Sequence, residues 1–186
     1  MARGSVAVRD AVPSDAAALV AIWAELVKSH SAVACPPATE EQAMRAVQRL
    51  EADPSERLVV AIVDDMPVGV AHLRRAPVSP LHDEDAVHVG NLHVLSRYRR
   101  RGVGSSLVTT AADWAEDKGS RHIVAAAAAS ARDSNRFLAR RGMNQVAVVR
   151  ATTATALRAR LSVATPRPVS TNVVAARRLR RRSRSA

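Results

Sequence analysis

The sequence is poor in several residue types at once. Among 186 residues there is one cysteine, Cys35, four aromatic side chains, and two lysines (Lys28 and Lys118) beside 26 arginines. A single cysteine excludes an intramolecular disulfide and a zinc site built from cysteines. No apolar run approaches the ~18–20 residues that cross a bilayer. The opening stretch MARGSVAVRD lacks the apolar core of a secretory signal. These absences point to a cytoplasmic protein that does not engage membranes. No set of residues reads as a metal site.

Positive charge is present in excess but unevenly. The formal net charge is +11, and residues 166–186 hold seven arginines and no acid, leaving +4 for the rest. The terminal RRLRRRSRSA would meet phosphates, yet it has no aromatic side chain on which bases could stack. A nucleic acid held through this tail is therefore a partner the sequence allows but does not favour. The composition after Thr165 is Pro, Ser, Val and Arg without periodicity, which reads as disordered. Residues 1–164 read as one domain and 165–186 as an arginine-rich tail.

Periodicity orders the first part. VAVRD predicts a short strand, and Leu19, Val20, Trp23, Leu26 and Val27 predict an amphipathic helix over about 15–29, capped by Ser14 or Asp15. Thr39 and Gln42 form the capping-box pattern of a second helix ending near Asp53-Pro54. RLVVAIVDDMPVGVAHLRR predicts a hairpin turning at Asp64-Asp65. AVHVGNLHVL is an apolar, central strand. Val103, Leu107, Ala111, Trp114 and Ala115 mark a helix closed by Gly119, followed by the strand HIVAAAAA. Ser130 opens a further helix, QVAVVR is read as a last strand, and Leu157 and Leu161 suggest a short final helix. The order gives an α/β fold with a mixed, partly antiparallel central sheet flanked by helices.

Two of the seven glycines, Gly102 and Gly104, fall directly after Arg99-Arg100-Arg101 and before the third helix. The first amides of a helix lack intrahelical acceptors, and the helix dipole makes their surroundings positive. A glycine lets an anion approach those amides closely. Ser105 and Ser106 add hydroxyls in the first turn. A nucleotide P-loop needs a Gly-Lys pair, and a dinucleotide fingerprint needs a third glycine where Leu107 stands. Neither fits.

The stretch RRRGVG, after LHVLSRY and before SSLVTTAADWAEDKG, resembles the central signature of the GNAT acetyltransferase superfamily. SNRFLARRGM resembles that family's second signature, and the hairpin fits its second and third strands. The likeness covers about residues 5–162. It implies the acyl-CoA N-acyltransferase fold and acetyl-CoA as co-substrate. The backbone of Arg100, Arg101, Gly102, Val103, Gly104 and Ser105 would hold the pyrophosphate, with Arg99 and Asn135 nearby. The strand edge at Leu92, His93 and Val94 would carry the pantetheine arm, and the Val94 amide would polarise the thioester carbonyl.

An alkylamine near pKa 10.4 must lose a proton before it attacks a thioester. His88 matches a strand position at which one member, serotonin N-acetyltransferase, has a proton-removing histidine. His88, Gly90, Leu92 and Val94 share one face in a regular strand, and Asn91 and His93 share the other; a bulge near Asn91 would re-aim them. His88, His93 and Asn91 are thus the catalytic candidates, with His72 on the hairpin a further imidazole. The family's usual acid, a tyrosine before the second signature's glycine, is Leu138 here, and its helix-opening asparagine is Ala131. The acceptor, a small-molecule or peptide amine, would be recognised by residues 29–39, which include Cys35, and by the loop 77–85 with Asp83, Glu84 and Asp85. Leu138 also motivates the alternative of a non-catalytic acyl-CoA-binding module. A homodimer is left open.

Overall fold

Runs of branched and small apolar residues build a sheet of five strands. The computed structural model describes residues 5–30 and 37–164. The strands stand in chain order: β1 Ala7–Asp10, β2 Glu56–Val63, β3 Met66–Pro77, β4 Asp85–Val94 and β5 His122–Ala125. The first four pair antiparallel and β5 runs parallel to β4, so the sheet is mixed as expected. Asp64 and Asp65 turn the β2–β3 hairpin with φ of 49° and 59°. Two-residue hairpin loops favour such positive φ at both positions.

Helices cover both faces. On one, α1 (Ala16–His30) and α2 (Glu40–Glu51) bring Leu19, Ile22 and Val47 onto Val60 and Val70. On the other, α3 (Val103–Asp117) lays Val103, Leu107, Ala111 and Trp114 against Ala61, Leu73, Val87 and Val89. Each fully buried Leu or Val contributes about 1.5–3 kcal/mol over an exposed one. The Thr39 capping box forms: the Gln42 amide donates to Thr39 Oγ1 (3.2 Å) and the Thr39 amide to Gln42 Oε1 (2.9 Å).

Several elements depart from the sequence reading. Pro13–Asp15 is a turn of 3-10 helix ahead of α1, and Asp15 accepts the Val12 amide at 2.8 Å from its third position. HIVAAAAA is a strand only as far as Ala125, extended by an Ala126 amide bond to the Val89 carbonyl (3.0 Å). The next helix, α4, spans Arg132–Ala139 and follows Ala131 without a side-chain cap, so Ser130 does not open it. QVAVVR forms no strand, and Val146, Val148 and Val149 are exposed. Branched residues favour a strand only where a neighbour supplies ladder bonds and an apolar face, and none of the described strands pairs with this segment.

The chain divides into two compact units, residues 1–148 and 149–186. The described part of the second is the helix α5, Ala154–Ala164, with Leu157 and Leu161 exposed. Cys35 and the tail from 165 onward lie outside the described residues. Among the described residues, no helix is long and apolar enough to cross a membrane.

Candidate active site at the end of the fourth strand

Asn91 breaks the regularity of β4. Its φ is 51°, and the β3 register slips there: Val70 faces His93, whereas His72 faces Gly90. Two residues of β4 thus oppose Ala71, a β-bulge. Residues directly opposite on antiparallel strands share a face. Val70 belongs to the α1–α2 side and Leu73, opposite Val89, to the α3 side. It follows that His88, Gly90 and His93 all face α1 and α2, while Leu92 and Val94 join Val87 and Val89 toward α3. The bulge therefore separates His88 from Leu92 and Val94, the grouping a regular strand would give, and aligns it with His93.

The bulge lies beside an open edge. β5 pairs with β4 only from Ala86↔His122 to Val89↔Ala125. The Leu95 amide donates to Val68 of β3 at 2.9 Å. By alternation the backbone groups of Leu92 and Val94 point away from β3, past the end of the β5 ladder. The family likeness assigned Leu92, His93 and Val94 to the pantetheine arm; the open edge offers Leu92 and Val94, whereas the backbone of His93, opposite Val70, is turned to β3.

Beyond β4 the chain turns through Ser96–Tyr98 into α3. Arg100 has φ 61° and Gly102 φ 89°. Alternating handedness of this kind directs successive amides into one concavity. Gly102 caps α3 with no side-chain hydrogen bond, and the Ser106 amide makes the first bond back, to the Gly102 carbonyl at 3.0 Å. The amides of Val103, Gly104 and Ser105 consequently have no intrahelical acceptor. A side chain on Gly104 would meet the Phe137 ring at 3.3 Å. Arg141 stacks on that ring, 3.6 Å from its centroid, and bonds Ser105 Oγ. In the sequence Phe137 reads as part of the apolar face of α4 and Arg141 as a charge at its end; their place beside Gly104 and Ser105 appears only when folding brings α4 onto the start of α3.

Two of the three arginines take different partners. Arg101 lies over the Tyr98 ring, 5.5 Å from its centroid. Arg99 turns the other way, donating Nε to the Val94 carbonyl at 3.0 Å and placing Nη2 3.5 Å from Glu25 Oε1. The same Glu25 oxygen accepts the Ser96 amide (2.9 Å) and hydroxyl (2.6 Å) and lies 3.3 Å from Nε2 of the buried His93. Partial burial works to raise the Glu25 carboxyl. The Ser96 bonds, followed by His93, outweigh it and hold the group below its ordinary value. No sequence signal marks Glu25, since its partners lie 68 to 74 residues away.

The remaining candidates sort by their partners. His88 is half-buried, and its Nε2 is buried without a hydrogen bond. His72 Nε2 contacts Glu56 Oε2 at 2.7 Å on the same sheet face. Asn135 donates Nδ2 to the carbonyls of Ala128 and Ala131, both at 2.9 Å, which ties down the loop entering α4. Leu138 is buried, so the position of the family's tyrosine is filled by a core side chain. Asp85 pairs with Arg75 (2.9 Å), and Glu84 lies 3.7 Å from His122. That acidic loop begins β4, about 20 Å along the strand from Asn91. The other loop expected to recognise the acceptor lies largely outside the described residues. Among the described residues, no group of three or more His, Cys, Asp or Glu side chains could hold a metal ion.

The fold has counterparts among known proteins. The family model of the acetyltransferase (GNAT) family matches residues 21–143. A transcriptional regulator from Bacillus halodurans C-125 is 21% identical with a TM-score of 0.69, over 80% of this chain and 99% of its own. The aminoglycoside N-acetyltransferase AAC(6')-Iy, solved with CoA, is 15% identical with a TM-score of 0.65, over 81% and 95%. Glucosamine-6-phosphate N-acetyltransferase from Arabidopsis thaliana is 14% identical with a TM-score of 0.67, over 81% and 99%. No curated protein matches the sequence.

Proposed function

The chain belongs to the GNAT family of acetyltransferases, and on that premise we propose that it transfers the acetyl group of acetyl-CoA to a primary amine by direct attack on the thioester. The observation that carries this reading is the junction of β4 and α3: an open strand edge beside the Asn91 bulge runs into an uncapped helix N-terminus behind Gly102. The donor set suits a pyrophosphate. Three helix amides lack acceptors, a Cβ on Gly102 would find nothing within 4 Å, and Arg141 stands beside Ser105. Gly104 is different, because any side chain there crowds Phe137.

Each residue then has a task. The amides of Val103, Gly104 and Ser105 and the Arg141 guanidinium hold the pyrophosphate. Leu92 and Val94 offer backbone groups to the pantetheine arm, and the Val94 amide stabilises charge developing on the thioester oxygen. His88, whose Nε2 has no hydrogen-bond partner, is assigned to take the proton of the acceptor ammonium through water, since it stands roughly 20 Å along β4 from Val94. His93 and Asn91 shape the strand at the reacting centre. The amine nitrogen bonds to the carbonyl carbon, the carbon–sulfur bond breaks, and the nitrogen's second proton passes through water to the CoA thiolate. A thiol pKa of about 8.5 makes that departure feasible without the acid that Leu138 replaces. Two of the similar structures are named as N-acetyltransferases, which supports nitrogen as the accepting atom.

The test is calorimetric titration with acetyl-CoA of the full chain and of Gly104→Glu, followed by CoA release with a panel of amines. Saturable binding that Gly104→Glu abolishes, together with amine-dependent release, is expected. Binding without release from any amine would favour a non-catalytic acyl-CoA-binding module, the reading that buried Leu138 supports. No binding by the unsubstituted chain would refute both.

A further inference from the structure

Glu25 gathers donors from both sides of a single peptide unit. His93 precedes Val94, Ser96 and Arg99 follow it, and all three reach one carboxylate oxygen on α1. Arg99 closes the loop by also donating Nε to the Val94 carbonyl. This carbonyl and the Val94 amide lie on the strand edge beyond the β5 ladder. The strand ends at Val94, and the 3-10 turn starts two residues later. Glu25 is thus the one described carboxylate that braces the end of β4 from the opposite helix layer.

We propose that Glu25 is a positioning residue that aims the Val94 amide at the thioester carbonyl. The inference rests on the acetyl-transfer reading. An amide serves as an oxyanion donor only when its direction is fixed before charge develops. The β3 ladder adds one bond past Val94, from the Leu95 amide to Val68, and then stops. Glu25 holds the chain beyond it through Ser96 and Arg99, and its interaction with His93 fixes the residue before Val94. The carboxylate is held in its charged form by the Ser96 bonds, which strengthens all three contacts. Misplacing a reacting group by about 1 Å costs roughly 100-fold in rate.

The experiment compares the full chain with Glu25→Gln, Glu25→Ala and Glu25→Asp, each first checked for a cooperative thermal transition. Three quantities are read: the amide resonances and hydrogen exchange of Val94 and Ser96 without ligand, calorimetric affinities for CoA and for acetyl-CoA, and kcat on the amine panel. Glu25→Gln is expected to lose about 10–100-fold in kcat while binding CoA within about threefold of the unsubstituted chain. Its preference for acetyl-CoA over CoA shrinks, since only the acetylated form presents a carbonyl to Val94. Glu25→Asp recovers part of the rate, and Glu25→Ala shifts the Val94 amide and speeds exchange at Ser96. Unchanged kcat in Glu25→Gln, or CoA affinity falling in step with kcat, would show a brace without catalytic consequence and overturn the proposal. Should the unsubstituted chain bind acetyl-CoA yet transfer to no amine, the acetyl-transfer reading fails separately. Glu25 is then judged by the acetyl-CoA preference and the Val94 resonance, and if neither moves in Glu25→Ala the proposal falls too.

Discussion

A buried carboxylate at residue 15 gives the chain a handle on pH. Asp15 accepts both Arg9 guanidinium nitrogens, at 2.6 and 2.9 Å, and the Val12 amide at 2.8 Å. The Arg9 bonds hold its carboxyl below the ordinary value against the opposing effect of burial, with help from Val12. Because the folded value is depressed, this stabilisation is complete above the unfolded value of about 4 and is lost as pH falls through the folded value. Asp15→Asn should therefore cost about 1.5–3 kcal/mol at pH 7 and show a shallower loss of stability below pH 4. Urea midpoints from pH 7 to pH 2 check this; parallel curves for the two proteins would remove Asp15 from the acid limb. His88 makes a different prediction. His88→Ala should lower kcat by about 10²–10⁴ and leave acetyl-CoA affinity within about twofold, since His88 faces away from the α3 layer. A variant that keeps kcat would move the base elsewhere on the α1–α2 face. Each residue has a local mark in the sequence, an acid at the start of a helix for Asp15, read there as a cap beside Ser14, and an imidazole on a central strand for His88. Glu25 had none: a glutamate on an amphipathic helix is ordinary until the β4–α3 turn arrives beneath it.

Among the elements, β4 determines most. Its identity as a central strand was legible in its apolar run, and the glycine pair after it was legible as the turn that opens α3. The face assignment stayed open, because side-chain alternation carries no record of an inserted residue; a bulge near Asn91 was the alternative to a regular strand, and it is the one that forms. Asn91 alone, with φ 51°, decides which histidines look toward α1 and α2. Asparagine tolerates that conformation and a branched residue does not. Asn91→Val should cost about 1–2 kcal/mol through left-handed strain, whereas Asn91→Gly should cost little, as compared by urea denaturation. Equal losses in the two variants would mean that the Asn91 side chain, and not its backbone, is what the bulge requires. The missing strand at QVAVVR is the converse lesson. Its composition was read correctly and its environment could not be, since pairing is a property of the partner strand.

For the whole molecule, charge and burial divide the chain at different places. No described residue after Leu138 is buried, whereas seven of the arginines lie beyond residue 165. The described core and the proposed cofactor site thus lie in residues outside the basic tail. Coulombic attraction between the tail and the phosphates of CoA is screened beyond about 8 Å at 0.15 M salt. A chain ending at Ala164 should therefore bind acetyl-CoA within about twofold of the full chain at that ionic strength, with an unchanged thermal midpoint. Retention on DNA or RNA is another matter. Seven arginines neutralising seven phosphates would steepen the dependence of log K on log salt by at most about 6, and the shortened chain should lose that slope. Calorimetry and salt-gradient retention on a nucleic-acid column, run on both chains, separate the two effects. A tenfold weaker acetyl-CoA affinity for the shortened chain at 0.15 M salt would place tail arginines in the cofactor site. The 1–164 boundary would then have to be abandoned.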